Sequence, residues 1–294
     1  MRDVMYFAPD TLNSALKYYH DHLDVTLFAG GTDLLVGMEY ETREPKAILD
    51  LKALSSELSY IREQDGKLKI GSMTTISQLV RSDYLKDKYP FLVDAASVLG
   101  SWQIRTTATV GGNLCNGAPS AELTPCFLIL NADVVVASVE GEQTIPMEQF
   151  LLGPGKVDLK PGQILKEIVI HEQDAQLKGG YAYRKLRRSM DVAIVNMAAA
   201  IVNMAAAVKL NPQGIVEDAR IALGAVAPVA FRVAQAEAAL TGKPFNQDSI
   251  ENAVDLCVKA AKPIDDIRST AEYRREMVGV YMRQLLTELQ QGGK

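Results

Sequence analysis

Apolar and polar positions along the chain switch repeatedly between a helical and a strand period. Leu12, Ala15, Leu16 and Tyr19 recur at i, i+3, i+4 and i+7 behind Asp10 or Thr11, which predicts a capped amphipathic helix over residues 10–22. Short apolar runs at Val25 to Ala29, Ala47 to Leu51, Lys67 to Ile70, Asp133 to Val139 and Ile164 to Ile170 predict strands. Leu34-Leu35-Val36 opens a further element, and Thr75 or Ser77 caps a helix. Residues 91–100 read as an apolar helix stopped by Gly100, and another helix begins near Ala121 to Pro125. The turn signals Gly153-Pro154-Gly155 and Pro161-Gly162 bracket a connecting hairpin.

Beyond about residue 175 the pattern changes. Strands are predicted at Gly180 to Leu186, Ala193 to Leu210 and Ala219 to Ala225, then helices at Ala230 to Leu240, Gln247 to Ala261 and Ala271 to Gln290. The order is α+β and lacks the regular βαβ alternation of a doubly wound sheet. The polar stretch Gln173 to Gly180 divides the chain into 1–175, with parts at about 1–55 and 56–175, and 176–294. One repeat stands out: AIVNMAA at Ala193 to Ala199 recurs unchanged at Ala200 to Ala206. An odd-numbered insertion swaps the two faces of a strand, so the repeat predicts a long hairpin edge, a bulge or a helical excursion in preference to one continuous strand.

Composition narrows the function classes. A chain of 294 residues, 48% apolar and 23% charged, is long enough for two domains with a buried core. Its formal charge of -5 argues against a general nucleic-acid binder, and the basic cluster Arg184, Lys185, Arg187 and Arg188 is too short to reverse that. No apolar run approaches the ~20 residues of a membrane helix, nor is there a signal-peptide pattern, so a cytoplasmic location is expected. Cys115, Cys126 and Cys257 form no C-x-x-C pair, and a self-contained cluster or zinc site would need four ligands. Cys126 and Cys257 read as small buried hydrophobes, whereas Cys115 lies beside a glycine pair. His20, His22 and His171 are dispersed and read as surface positions.

Candidate chemistry lies in two glycine pairs, Ala29-Gly30-Gly31-Thr32-Asp33 and Thr109-Val110-Gly111-Gly112-Asn113. Paired glycines accept positive φ and close approach, and consecutive N–H groups can converge on phosphate oxygens. Together the loops form a candidate split diphosphate cradle built without Lys or Arg. Neither matches G-x-G-x-x-G or the P-loop pattern, and one pair alone reads as readily as a structural turn.

The context of these pairs is more specific. QIRTTATVGGNLCNGAPSAELTP (Gln103 to Pro125), LFAGGTDLL (Leu27 to Leu35), LKIGSMTTISQL (Leu68 to Leu79), GPGKVDLKPGQIL, MDVAIVN and ARIALGAVAP follow one another along the chain. In these strings and their order the chain resembles the FAD-binding subunits of molybdenum hydroxylases, the xanthine dehydrogenase and carbon monoxide dehydrogenase type, over almost its whole length. The xanthine dehydrogenase branch looks nearest, through NLCNGAPSAELTP and GPGKV. The resemblance implies an N-terminal FAD-binding region of two α+β subdomains, of the vanillyl-alcohol oxidase type, and a C-terminal domain with a small antiparallel sheet and helices. It also implies a role: accepting electrons from 2Fe-2S clusters on a partner subunit, themselves supplied by a molybdopterin-binding subunit, and passing them through FAD to NAD+ or another acceptor. Self-association of the isolated chain stays open.

Site residues follow from the same resemblance. Leu27, Phe28, Ala29, Gly30, Gly31, Thr32, Asp33 and Leu34 would hold the diphosphate, and Thr109, Val110, Gly111, Gly112 and Asn113 would close over the phosphates and the flavin edge. Glu122 stands where relatives more often have Asp, a carboxylate contacting the adenosine portion. Leu99, Gly100, Leu165 and Lys185 match weaker contact positions, with core packing or surface charge as the alternative. No His or Cys stands where a covalent flavin link would be expected, so the FAD is expected to be non-covalent, with no metal on this chain and no catalytic side chain of its own. The rival readings are the flavoprotein subunit of a carbon monoxide or N-heterocycle dehydrogenase, a stand-alone flavin reductase or oxidase, and a flavin-less scaffold.

Overall fold

A computed structural model of the chain describes residues 4–171, 177–185 and 201–292. The first part is a three-stranded parallel sheet in the order Met5–Phe7, Ala47–Asp50, Thr26–Phe28. Parallel neighbours need crossovers, and the helices Leu12–Asp21 and Leu34–Glu39 supply them. Thr11 caps the first of these, its Oγ1 accepting from the Ser14 N–H at 3.2 Å. The edge strand Met5–Phe7 was not predicted: it is three residues long and largely exposed, so it carries no readable alternation.

The second part is a five-stranded antiparallel sheet ordered Ile61–Gln64, Lys67–Gly71, Ile164–His171, Asp133–Ser138, Gly141–Pro146. Its central strands bury Val134, Val136, Ile168 and Ile170 against Phe91, Leu92, Phe127 and Ile129 from the helices Pro90–Ser97 and Thr124–Ile129. Ala137 and Ile164 leave this core for that of the parallel sheet, where they meet Ala15, Leu49 and Leu54, so the two sheets are packed as neighbours. Pro154-Gly155 turns a small hairpin between Leu151–Gly153 and Lys156–Val157.

The third part is a four-stranded antiparallel sheet, Lys178–Arg184, Val202–Leu210, Val216–Gly224 and Phe231–Arg232, backed by the helices Ala234–Leu240, Gln247–Ala260 and Ala271–Gln290. Val202–Leu210 is buried on both faces. Val202, Met204, Ala206 and Val208 face the terminal helices, while Ala205 and Ala207 join the core of the five-stranded sheet. The mixed α+β architecture expected from the sequence is therefore present, with an antiparallel C-terminal sheet.

Three expectations about elements change. The helix expected from Ala230 starts at Ala234, because Phe231 and Arg232 pair with Leu223 and Ala222 as a short edge strand. The second glycine pair lies in a helix, Val110–Cys115, and not in a loop. The strand expected from Ala193 is described only from Val202, where the second AIVNMAA copy forms ordinary ladder pairs with Gly224 to Ile221. The first copy and Leu186 lie outside the described residues.

Candidate functional site

A cavity of about 860 Å³ opens where the three parts meet. Its walls come from residues 27–34, from Ser72 and Met73, from 99–122, from Ile164 and Leu165, and from the C-terminal segments around 225–228 and 262–274.

The first glycine pair crosses this cavity between the strand Thr26–Phe28 and the helix Leu34–Glu39. Gly31 adopts φ +71°, the left-handed region, and a Cβ there would stand 2.5 Å from the Phe28 ring. Gly30 is needed for a different reason: a Cβ would lie 2.1 Å from the Thr107 carbonyl oxygen. The carbonyls of Gly31 and Asp33 accept helical bonds from Leu35 and Gly37, at 3.0 and 2.9 Å. The N–H groups of Gly30, Gly31, Thr32 and Asp33 have no acceptor among the described residues. Engaged carbonyls and unengaged donors on one short turn make an anion-binding nest. The Asp33 carboxylate pairs with Arg43 at 2.8 Å, and both residues line the cavity.

The second pair is built differently. The Val110 N–H donates to the Thr74 carbonyl at 2.9 Å and the Gly111 N–H to the Ser72 carbonyl at 2.8 Å. Gly112 and Asn113 donate to the side chain and carbonyl of Thr109, both at 3.0 Å. All four donors are therefore engaged within the protein, because Thr109 caps a helix whose first turn is joined to residues 72–74. The row of unengaged main-chain donors is therefore at the first glycine pair, while the second pair uses its own donors to cap its helix and join it to residues 72–74. Gly111 is small because a Cβ would stand 2.7 Å from the Ser72 Cβ; the close approach is protein against protein.

Of the candidate residues, Leu27, Ala29, Gly30, Gly31, Thr32, Asp33, Leu34, Leu99, Gly100, Thr109, Gly111, Gly112, Asn113, Glu122 and Leu165 line the cavity. Phe28 and Val110 are buried behind the wall. Lys185 reaches it only through Glu122, 3.4 Å from its Oε1, while also donating to the Val98 carbonyl. The sequence reading named neither Ser72 nor any C-terminal residue as part of the site, although Ser72 lies in the quoted LKIGSMTT string and Ala225, Ala227 and Pro228 in ARIALGAVAP. There Ala225, at φ +61°, donates its N–H to the Pro119 carbonyl at 2.7 Å. Asn203 donates to the Ala121 carbonyl at 3.2 Å, and Arg274 bonds the carbonyls of Ile201 and Ala225 at 3.0 and 3.1 Å. The C-terminal sheet thus holds residues 119–121, and no local motif announces contacts between residues so far apart.

Glu122 is buried. Burial pushes its carboxyl above the ordinary 4.5, and the Lys185 ammonium brings it part of the way back. A raised carboxyl binds more protons folded than unfolded, so its contribution to stability declines as pH rises from 4.5 through the folded value. Glu122→Gln is expected to flatten that decline, measured as the difference in urea midpoints between pH 4.5 and neutrality; an unchanged difference would refute the assignment. Burial likewise pushes the Cys115 thiol on the cavity wall up to about 12, which keeps it a thiol and removes it as a nucleophile.

No group of three or more His, Cys, Asp or Glu side chains among the described residues could hold a metal ion. Among the described residues no helix is long and apolar enough to cross a membrane. The cavity does fit a flavin dinucleotide. Its volume falls within the roughly 300–1,000 Å³ of ligand sites, the nest offers unengaged N–H groups to a diphosphate, and the Ser72 hydroxyl and Asn113 Oδ1 are buried without protein partners beside apolar Met73 and Leu165.

Fold and site together define a flavin-binding α+β protein. The chain belongs to the FAD-binding subunits of the molybdenum hydroxylases: residues 2–171 match the FAD binding domain in molybdopterin dehydrogenase, and residues 181–289 match the CO dehydrogenase flavoprotein C-terminal domain. Among individual proteins it is 30% identical to the xanthine dehydrogenase FAD-binding subunit of Escherichia coli O157:H7, over 96% of this chain and 94% of that protein. It is also 30% identical to the carbon monoxide dehydrogenase medium chain of Hydrogenophaga pseudoflava, over 96% and 95%. A solved carbon monoxide dehydrogenase from Hydrogenophaga pseudoflava superposes with TM-score 0.88, covering 97% of this chain and 96% of that one at 30% identity. Quinoline 2-oxidoreductase from Pseudomonas putida 86 superposes with TM-score 0.90, covering 99% and 98% at 25% identity.

Proposed function

We propose that this chain passes electrons from 2Fe-2S clusters on a partner subunit through non-covalent FAD to NAD+, in a cytoplasmic xanthine dehydrogenase complex whose molybdopterin-binding subunit hydroxylates the substrate. The observation that carries the reading is the row of unengaged N–H groups at Gly30 to Asp33 on the wall of a ligand-sized cavity. Residues 1–175 form the FAD-binding domain, in parts of about 1–55 and 56–175, and 176–294 form the C-terminal domain.

When bound, FAD supplies the redox chemistry, and the protein's task is placement and electrostatic tuning. The 29–33 turn takes the diphosphate, with Thr32 adding a hydroxyl. Leu99, Gly100 and Leu165 cover the ring and exclude water, while Thr109 and Asn113 border its edge. Glu122 faces the adenosine portion, held from behind by Lys185. No acid–base pair is required of the chain itself.

A second reading, the flavoprotein subunit of a carbon monoxide or N-heterocycle dehydrogenase, is favoured by relatives of similar identity. These include the nicotinate dehydrogenase FAD-subunit of Eubacterium barkeri, 29% identical over 98% of this chain. Purified chain is expected to show the visible flavin band and to release intact FAD on denaturation; a colourless protein that gains no band with added FAD refutes the flavin assignment. Bleaching of that band by NADH supports the acceptor, and turnover of purines against N-heterocycles by the co-purified complex separates the two readings.

A further inference from the structure

The segment Gly71 to Thr75 carries three hydroxyls, and two are accounted for. The Thr74 hydroxyl donates to the Tyr60 carbonyl at 2.9 Å and accepts from the Tyr60 N–H at 3.0 Å. The Thr75 hydroxyl donates to Gln78 Oε1 at 3.0 Å and accepts from the Gln78 N–H at 3.2 Å, capping the helix Ile76–Arg81. The Ser72 hydroxyl is buried and has no protein partner.

Its backbone leaves it little freedom. The Ser72 N–H donates to the Lys166 carbonyl at 2.9 Å, and its carbonyl accepts from Gly111 at 2.8 Å. Ser72 is therefore clamped between the central strand Ile164–His171 and the helix Val110–Cys115, with its side chain on the cavity wall. Two residues beyond Gly111, Asn113 Oδ1 is a second buried polar atom without a protein partner on the same wall. Buried polar atoms are almost always paired, and leaving one unpaired is costly. Two such atoms on residues of one cavity wall mark a place where a ligand completes the hydrogen bonds.

We infer that the Ser72 hydroxyl donates a hydrogen bond to the isoalloxazine ring of the bound flavin, with the Asn113 amide beside it on the same ring edge. This rests on the FAD reading of the cavity. The ring, and not the diphosphate, is the partner for two reasons. The unengaged main-chain donors sit on the separate 29–33 turn, and the wall around Ser72 is apolar, with Met73 and Leu165 beside it. A donor on the ring stabilises the electron-rich reduced form more than the oxidised form, so Ser72 raises the flavin potential.

A matched control exists within the same chain. Ser77 is also buried, with a hydroxyl that has no protein partner, but it lies off the cavity wall. FAD titration, the visible band and the flavin midpoint potential are to be compared for full-length wild type, Ser72→Ala and Ser77→Ala. Ser72→Ala is expected to bind FAD roughly fivefold more weakly, the loss of one ordinary hydrogen bond, with a shifted band and a lowered potential. Ser77→Ala is expected to match wild type in all three. A Ser72→Ala chain with wild-type affinity, band and potential overturns the inference, as does weakened binding with an unmoved band and potential. Wild-type chain that takes up no FAD overturns instead the reading on which the inference rests.

Discussion

Gly30→Ala is expected to strip the chain of FAD and to lower its stability by roughly 1–3 kcal/mol, the usual range for forcing atoms into a packed site. The added Cβ would overlap the Thr107 carbonyl oxygen at 2.1 Å and stand 2.8 Å from its carbon. Neither is the tip of a flexible side chain, so one of the two backbones must move. If the 29–33 turn moves, its N–H groups lose their common aim; if residues 107–108 move, the cap at Thr109 and its junction with Ser72 move with them. Both routes damage the nest, which is why affinity is expected to fall well beyond the loss of one hydrogen bond. Gly153→Ala is the control, since nothing lies within 4 Å of where its Cβ would stand. Flavin content after gel filtration and the thermal midpoint test the pair, and a Gly30→Ala chain that keeps its flavin would sink the account of the turn.

Arg274→Met is expected to destabilise the fold by about 3 kcal/mol, the low end for breaking a buried ion pair by removing one partner. The Arg274 side chain is 4% exposed, and its guanidinium lies 2.8 Å from the Asp266 carboxylate while bonding the carbonyls of Ile201 and Ala225. Met fills much of the volume but leaves both carbonyls and the carboxylate short of a donor; Arg268, at 3.4 Å from Asp266, retains part of the pairing. Burial by itself would raise the Asp266 carboxyl, but the Arg268 N–H and the Arg274 charge outweigh it and hold the group below the ordinary 3.8. A depressed carboxyl contributes stability that is complete above its unfolded value and is lost as pH falls through the folded one. Wild type is therefore expected to lose part of its stability below about pH 3.8, and Arg274→Met to lose less of it there, as read from denaturant midpoints along an acid series. Equal midpoints for the two proteins at neutral pH would refute the role given to Arg274.

Those two residues also mark how far the sequence could be read. The helices Leu12–Asp21 and Ala271–Gln290 and the strand Lys67–Gly71 were legible because each buries one face, and the buried face imprints its period. Met5–Phe7 was illegible because it is too short to show a period, whereas Val202–Leu210 was legible as a continuous apolar run, the mark of a strand buried on both faces. Phe231–Arg232 continues the helical pattern of Ala234–Leu240 in sequence yet pairs as a strand, since sheet registry with Ala222 and Leu223 outweighs a local preference. The glycine pairs were visible as pairs, but their shared appearance concealed different roles. One presents unengaged donors at a positive φ, and the other lets a capped helix approach Ser72.

By itself the sequence determined the α+β class, the family and the position of the first glycine turn, because these depend on side-chain period and on glycines that tolerate no substitute. Only the tertiary structure decided which N–H groups remain available, since that depends on acceptors such as the Thr74 and Ser72 carbonyls lying some thirty-five or more residues away in the chain. It also decided that residues 119–121 are held by Ala225 and Asn203 and that the Ser72 hydroxyl lacks a partner. Hydrogen bonds between distant segments leave no periodic trace in the residues that make them.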